Sequence, residues 1–356
     1  MIKEKHGVES AYVFDGTAKK VPCISSGSYA VDKALGIGGF PYGRMVEILG
    51  PASSGKTTMC LHVIANAQKV GKKCGFIDVE NALDPIYAEQ LGVQLVGDNA
   101  LIFSQPDNGE EALQIAETMI RTGEFGVVVI DSIAALVPRA ELEGAIGDSH
   151  IGLQARLMSQ ACRMLSGPIK KTETLVIFTN QIRLKIGVQW GSPEVSPGGE
   201  AMKFYSSVRV DIRKTQTDKT KDEEDGPAGT NVRVKIIKNK LAPPFRIAET
   251  SIEFGTGFNK EKELIEMGLK AGAVCKGGSW YSVNGVNIGQ GINGAIEAIR
   301  NNEELRKSIV DVLFPTESED QKNLRHLRRL YKATIDEEEK KKLKVQIKEL
   351  KNKIGA

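Results

Sequence analysis

MVEILGPASSGKTTMCLHVIANAQ, residues 45–68, decides the fold. Its middle, GPASSGKTT (50–58), fits the pattern G-x-x-x-x-G-K-[ST]. An apolar strand, MVEIL, precedes it and an apolar-periodic helix follows, the context in which the pattern has a mechanism. The turn Gly50, Pro51, Ala52, Ser53, Ser54, Gly55 and the helix start at Lys56, Thr57 and Thr58 direct backbone N–H groups at anionic phosphates. Lys56 reaches the β/γ oxygens, and Thr57 offers a hydroxyl to Mg²⁺. This is a nucleotide site.

Working outward, CGFIDV (74–79), ALIFS (100–104), GVVVID (126–131) and TLVIFTN (174–180) read as buried strands separated by helices of 3.6-residue apolar spacing. Strands alternating with helices imply an α/β fold with a mostly parallel sheet. VRVDIRK (208–214), TNVRVKIIKNK (230–240) and IAETSIEF (247–254) follow without helices and predict an antiparallel extension. Asp131 closes an apolar strand and is the expected Mg²⁺ partner of the phosphate loop, with Ser132 in support. Period-two geometry puts Asp78 and Glu80 on one face of a strand end, where a carboxylate can orient water or take its proton. Asp84 before Pro85 has the pattern of a helix N-cap with proline at N1, and Tyr87 reads as core. Asn180 and Gln181 end a central strand in amides suited to sensing a γ-phosphate.

The remaining chain is less regular. Residues 217–229 (TDKTKDEEDGPAG) read as a polar hairpin tip. KEKELIEMGLKAGA is a helix, SWYSVNGVNIGQG a small hairpin, and two more helices run to Leu313. Beyond the linker FPTESED (314–320), Thr334 and Glu337 fit a capping box, and Leu343, Ile347, Leu350 and Ile354 form a short a/d seam. KIGVQWGSPEVSPGG (185–199) excludes a regular helix or central strand yet carries Trp190. Core packing and stacking on an outside molecule are the two readings of that indole.

Composition sets the outer limits. With 41% hydrophobic and 26% charged residues among 356, the chain is of the ordinary globular kind. No apolar run has the ~20 residues that span a bilayer, so no membrane partner is expected. The five cysteines are scattered, which fits reduced thiols in a cytoplasmic compartment. A net charge of +3 does not by itself announce a nucleic-acid binder. From Gln321 onward, however, twelve Lys/Arg face five Asp/Glu, so a basic appendage follows a near-neutral body.

Together these segments resemble the bacterial RecA recombinase family. The resemblance runs from about Ser25 to Trp280 and on into IGQG (288–291). It rests on GPASSGKTT, ENALDPIYAEQLGV, SQPDNGEEALQI, VIDSIAALVPRAELEGAIGDSHIGLQARLMSQA, FTNQIRLKIGV, GGEAMKFYSSVR and KNKLAPPF. The fold it implies is a P-loop NTPase core of RecA type, with a mostly parallel sheet and antiparallel extension, a small C-terminal α/β domain and a helical tail. The implied domains are a short N-terminal segment (1–30), an ATPase core (31–256), a C-terminal domain (257–315) and a basic tail (316–356). About 24 residues precede the SSGS match, too few for the docking helix with which the family begins.

The implied activity is a DNA-dependent ATPase that forms helical filaments with ATP on single-stranded DNA and exchanges strands with double-stranded DNA. A closed-ring motor of the same core and a non-catalytic filament scaffold are the alternatives. The resemblance makes Glu80 the water-activating base, sets Asp84 and Tyr87 beside adenine, and links Gln181 from γ-phosphate to the DNA loops. Lys238 and Lys240 act on a neighbour's ATP, with Phe204 packed at that interface; period two already puts both lysines on one strand face. DNA contacts are assigned to loops 141–152 and 182–199, with Ile151, Arg183, Lys185, Val188, Trp190, Gly198 and Gly199. Arg156 and Arg163, seven apart on one helix face, are added phosphate candidates. Glu194 and Glu200 are expected to offset Arg183 and Lys185, with Glu200 turned away or bonded locally.

Overall fold

The computed structural model describes residues 21–354 apart from 146–149, 151, 185–193, 219–227, 316–319, 321–322, 325–326, 329, 332–333 and 335. Ile151, Lys185, Val188 and Trp190 lie outside the described residues, as does most of the 217–229 stretch. Contacts divide the chain into residues 21–306 and a unit that includes residues 307–356.

The first unit opens with β1 (Cys23–Ile24), α1 (Tyr29–Leu35) and β2 (Phe40–Pro41). Ser28 caps α1 by accepting the Val31 N–H at 3.1 Å. There follow β3 (Met45–Gly50), α2 (Lys56–Lys69), β4 (Lys73–Asp78), α3 (Pro85–Gln90), β5 (Ile102–Ser104), α4 (Gly109–Thr122), β6 (Phe125–Asp131), α5 (Arg139–Leu142), α6 (Leu153–Thr172) and β7 (Leu175–Gln181). β8 (Arg183–Leu184) and β9 (Glu194–Val195) make a two-stranded ribbon after β7, and α7 (Ala201–Tyr205) leads back to the sheet. The extension is β10 (Val208–Asp218), β11 (Gly229–Asn239), β12 (Ile247–Glu253) and β13 (Gly257–Phe258).

Nine described strands form one sheet in the order β13-β12-β11-β10-β3-β7-β6-β4-β5. Its pairs from β10 to β5 are parallel and those from β10 to β13 antiparallel, as the helix-free run of strands predicts. The central strands are covered on both faces, which is why they read as continuous apolar runs. Val46, Ile48, Phe76 and Val129 meet α2 on one face; Ile77, Ile130 and Phe178 meet α4 and α6 on the other.

α8 (Lys260–Ala271), β14 (Cys275–Gly277), β15 (Trp280–Val283), β16 (Val286–Gln290), α9 (Gly291–Asn301) and α10 (Glu303–Leu313) continue the chain. Asn284 and Gly285, with φ of 50° and 79°, make the tight turn between β15 and β16. α8 is anchored to the core through Glu263, which is 2% exposed. Its carboxylate accepts from Ser28 Oγ at 2.6 Å, from Thr250 Oγ1 and from the Ala30 N–H at 3.3 Å.

In the second unit α11 (Glu337–Ile354) is the main element. The expected Thr334–Glu337 capping box is not its start. Asp336 caps the helix instead, its Oδ1 accepting the N–H groups of Glu338 (2.7 Å) and Glu339 (3.2 Å). A carboxylate at the positive helix end has the better electrostatics. On the expected seam Leu343 is buried, while Ile347 and Leu350 are half-buried.

Candidate functional site at the carboxyl ends of the parallel strands

Strand register brings the sequence-distant candidates to one edge. Gly50 of β3 sits opposite Gln181 of β7, and Asp78 of β4 opposite Asp131 of β6. The carboxyl edge of a parallel sheet is where α/β proteins bind ligands.

The loop between β3 and α2 is glycine-dependent at two points. A Cβ on Gly50 would lie 2.2 Å from the Ile212 carbonyl oxygen; at Gly55 (φ 98°) it would lie 2.3 Å from Ile252 Cδ1. Pro51, Ala52 and Ser53 are exposed, whereas Ser54 and Thr58 are buried. Lys56 Nζ donates to the Gly50 and Pro51 carbonyls at 3.1 and 2.8 Å, curling over the loop. Burial pushes its pKa down, against the opposing pull of Asp131 and Glu80.

Thr57 Oγ1 donates to Asp131 Oδ2 at 2.7 Å, and Thr179 Oγ1 donates to Asp131 Oδ1. Burial raises the Asp131 pKa despite these donors. A hydroxyl and a carboxylate together are hard oxygen donors that suit Mg²⁺, which takes few protein ligands beside phosphates. Ser132 serves differently from expectation: its Oγ donates to Glu80 Oε1. Gln181 Nε2 donates to the same oxygen at 3.0 Å. Glu80 is thus an exposed carboxylate steered by a serine on one strand end and an amide on another.

Asp78 does not join it. Strand geometry ends at Asp78, so period two no longer relates the pair, and Asp78 is 2% exposed. Its Oδ2 accepts the Ala82 and Leu83 N–H groups at 3.0 and 3.1 Å and shapes the turn toward α3. Asn180 also turns inward, away from any phosphate. It is fully buried and donates to Glu47 Oε1 at 2.9 Å and the Pro197 carbonyl at 3.1 Å.

Asp84 caps α3 by accepting the Ile86 N–H at 2.9 Å, with Pro85 at the first turn. Tyr87 is half-buried against the core, and its hydroxyl lies 3.0 Å from Thr58 Oγ1 at the loop-bearing helix.

On the ribbon side, Arg183 is exposed, and Glu194 has a partner that the sequence did not suggest. Glu194 accepts a bidentate pair from Arg213 Nη1 and Nη2 at 2.8 and 2.6 Å. Glu200 bonds locally to Lys203 at 2.7 Å. Arg156 and Arg163 are exposed on α6. Gly198 and Gly199 (φ 83° and 73°) let the chain pass close to this region: added Cβ atoms would lie 2.6 Å from Ile133 Cγ2 and 2.8 Å from Ala155 Cβ. The Gly198 N–H is not open to a phosphate, because it donates to Gln154 Oε1 at 3.2 Å. Gln154 escaped sequence reasoning. Its Nε2 also holds the Ile133 and Leu136 carbonyls (2.9 and 3.1 Å), tying the segment after β6 to the end of the ribbon loop.

Lys238 and Lys240 lie at the opposite edge of the sheet. Lys238 pairs with Arg209 near the start of β10, and the Lys240 N–H donates to Ser207 O. Ser207 N–H in turn donates to Met45 O, at the amino end of β3. Both ammonium groups converge on the Phe204 carbonyl at 3.1 Å, at the end of α7, beside a Phe204 side chain that is 71% exposed.

A second feature was signalled only by an acid inside the apolar run MVEIL. Glu47 is fully buried and ion-paired to Arg209, its register partner on β10. The five cysteines are free thiols, and no helix among the described residues is long and apolar enough to cross a membrane.

A phosphate loop ahead of a parallel-sheet edge, a Thr57–Asp131 oxygen pair and a carboxylate steered by strand-end groups define a P-loop NTPase. Residues 1–259 match the model of the RecA N-terminal domain, and residues 262–313 that of the RecA C-terminal domain. The chain is 56% identical over 286 residues to Protein RecA of Azospirillum lipoferum, covering 80% of this chain and 78% of that protein. It is 56% identical over 292 residues to Protein RecA of Acidiphilium cryptum, covering 82% and 83%. The figure for Protein RecA of Rhodospirillum rubrum is 53% over 294 residues, covering 83% and 79%. The chain belongs to the RecA family. It is an ATP-binding, DNA-dependent ATPase and DNA recombinase, and neither the closed-ring motor nor the scaffold is favoured.

Proposed function

We propose that Glu80 is the base that accepts a proton from the water attacking ATP, and that Gln181 couples this step to DNA. The observation that carries this is the 3.0 Å contact from Gln181 Nε2 to Glu80 Oε1. Gln181 is the last residue of β7, two positions before Arg183, where the ribbon within loop 182–199 begins. A shift of the ribbon on DNA binding therefore reaches the catalytic carboxylate through one side chain. The phosphates rest on residues 50–58, with Lys56 exchanging its two loop carbonyls for phosphate oxygens. Thr57 and Asp131 are the residues that hold Mg²⁺; the ion, when bound, neutralises charge developing on the phosphates. Asp84 and Tyr87 border the adenine.

Arg156, Arg163 and Arg183 contact single-stranded DNA together with loops 141–152 and 182–199. Gly198 and Gly199 support this surface by allowing close packing, and the Gly198 N–H is held by Gln154. Lys238 and Lys240 act on the ATP of a neighbouring copy, with Phe204 between the two. Support for this trans role comes from distance along the sheet: five residues of β3 separate Met45 from Gly50, about 16 Å at strand rise. The working form is a filament on single-stranded DNA that pairs with double-stranded DNA in the cytoplasm, built from the domains 1–30, 31–256, 257–315 and 316–356.

Gln181→Ala tests the coupling. We expect ATP binding to be retained and stimulation of hydrolysis by single-stranded DNA to be lost. Full stimulation in that variant contradicts the relay, and a wild type whose turnover ignores single-stranded DNA contradicts the DNA loops.

A further inference from the structure

We propose that the lysine face of α11 binds the phosphate backbone of duplex DNA. This inference rests on the reading above that duplex DNA is a partner. It concerns a part of the chain beyond residue 313, where the family-model match ends.

Three observations converge. First, at 100° per residue, Lys341, Lys344, Lys348 and Lys351 fall within an arc of about 80°. Lys341, Lys344 and Lys348 are exposed and Lys351 is half-buried. Second, none of the four is ion-paired to a described side chain. Two other α11 lysines, Lys342 paired with Glu338 (4.0 Å) and Lys353 with Asp320 (2.9 Å), lie on the other side of the helix. Four lysines without a described ion-pair partner on one face, against one acid there (Glu337), leave that face net positive. Third, those four span about 15 Å of helix, and one strand of a duplex carries a charge about every 3.4 Å, so spacing and charge number match.

A basic amphipathic helix also suits an anionic membrane, but that mode needs an apolar face free to enter lipid. Here the apolar face is occupied within its own unit. Leu343 is buried, and Leu350 shares a groove with Leu327 and Asn323. Outward, a single apolar side chain, Val345 (56% exposed), stands beside the lysines and offers no apolar face to lipid. The charge that dominates recognises a polyanion by counterion release and does not read sequence. That suits a protein that must sample any duplex.

The test uses the full chain with Lys341, Lys344, Lys348 and Lys351 all changed to Gln, which keeps helix propensity. A matched all-Arg variant keeps the charge. Binding of a labelled mixed-sequence duplex is followed across salt. Each neutralised phosphate contributes roughly 0.9 to the log–log slope, so the Gln variant should lose roughly 3.6 of slope and about tenfold or more of affinity. The Arg variant should bind as the wild type does, and single-strand-stimulated hydrolysis should persist in both. Unchanged duplex affinity and slope in the Gln variant overturn the proposal, as does equal loss in the Arg variant. Lysine-dependent binding to phosphatidylserine vesicles with duplex binding unaltered overturns it in favour of a membrane. A wild type without single-strand-stimulated turnover is a separate failure, that of the underlying reading.

Discussion

Lys56 is held by two backbone carbonyls, not by a carboxylate, so its removal breaks no ion pair that the fold needs. Lys56→Ala should lower ATP turnover by at least about 10²-fold while thermal unfolding stays near wild type. A large drop in melting temperature would contradict the division between function and fold. Glu80→Gln should cost about 10²–10⁴ in turnover, as loss of a general base does, and leave ATP binding intact by equilibrium titration. Lys56, Thr57, Asp131 and Gln181 were legible because each sits in a motif or at a strand end. The partners were not. Asn180 meets Glu47 across 133 residues of sequence, and Ser132 meets Glu80 across 52, distances at which residue pattern carries no information. Asp78 and Glu80 look equivalent only until the strand is seen to stop at Asp78.

The elements are held by a few buried polar contacts whose removal has a definite sign. Arg209 is the ion-pair partner of the fully buried Glu47 between β3 and β10. Arg209→Met should cost about 3–5 kcal/mol by chemical denaturation, because a buried carboxylate loses its partner. The double variant Glu47→Met/Arg209→Leu should recover much of that loss. At α8, burial pushes Glu263 up from 4.5 to about 7, opposed by the donors Ser28, Thr250 and Ala30. A carboxyl raised on folding stabilises most below pH 4.5, and that contribution is lost as pH rises through about 7. Glu263→Gln should therefore flatten the fall in melting temperature across that window. An unchanged slope would place the pH response elsewhere, with Asp32, raised by burial to about 6, the next group to change. Alternation of strands and helices was visible in the sequence because apolar periodicity is local. The Glu263 anchor was not, since it depends on an α1 cap 235 residues away.

At the scale of the whole molecule, the sheet separates the phosphate loop from the two lysines proposed to act in trans. The phosphate loop, Glu80 and Gln181 lie at its carboxyl edge, while Lys238, Lys240 and the exposed Phe204 lie at the other. On the proposed trans role of Lys238 and Lys240, one copy carries both a socket and a plug on opposite edges of its sheet, and turnover would then require self-assembly. Mixing two inactive variants on single-stranded DNA tests this directly. Glu80→Gln lacks the base but keeps its lysines; the Lys238→Ala/Lys240→Ala double variant lacks the lysines but keeps its base. In an equal mixture, random neighbours complete about one quarter of the sites, so ATP turnover should reappear at about that fraction of wild type. A mixture as inactive as either parent would contradict completion of the site by a second copy.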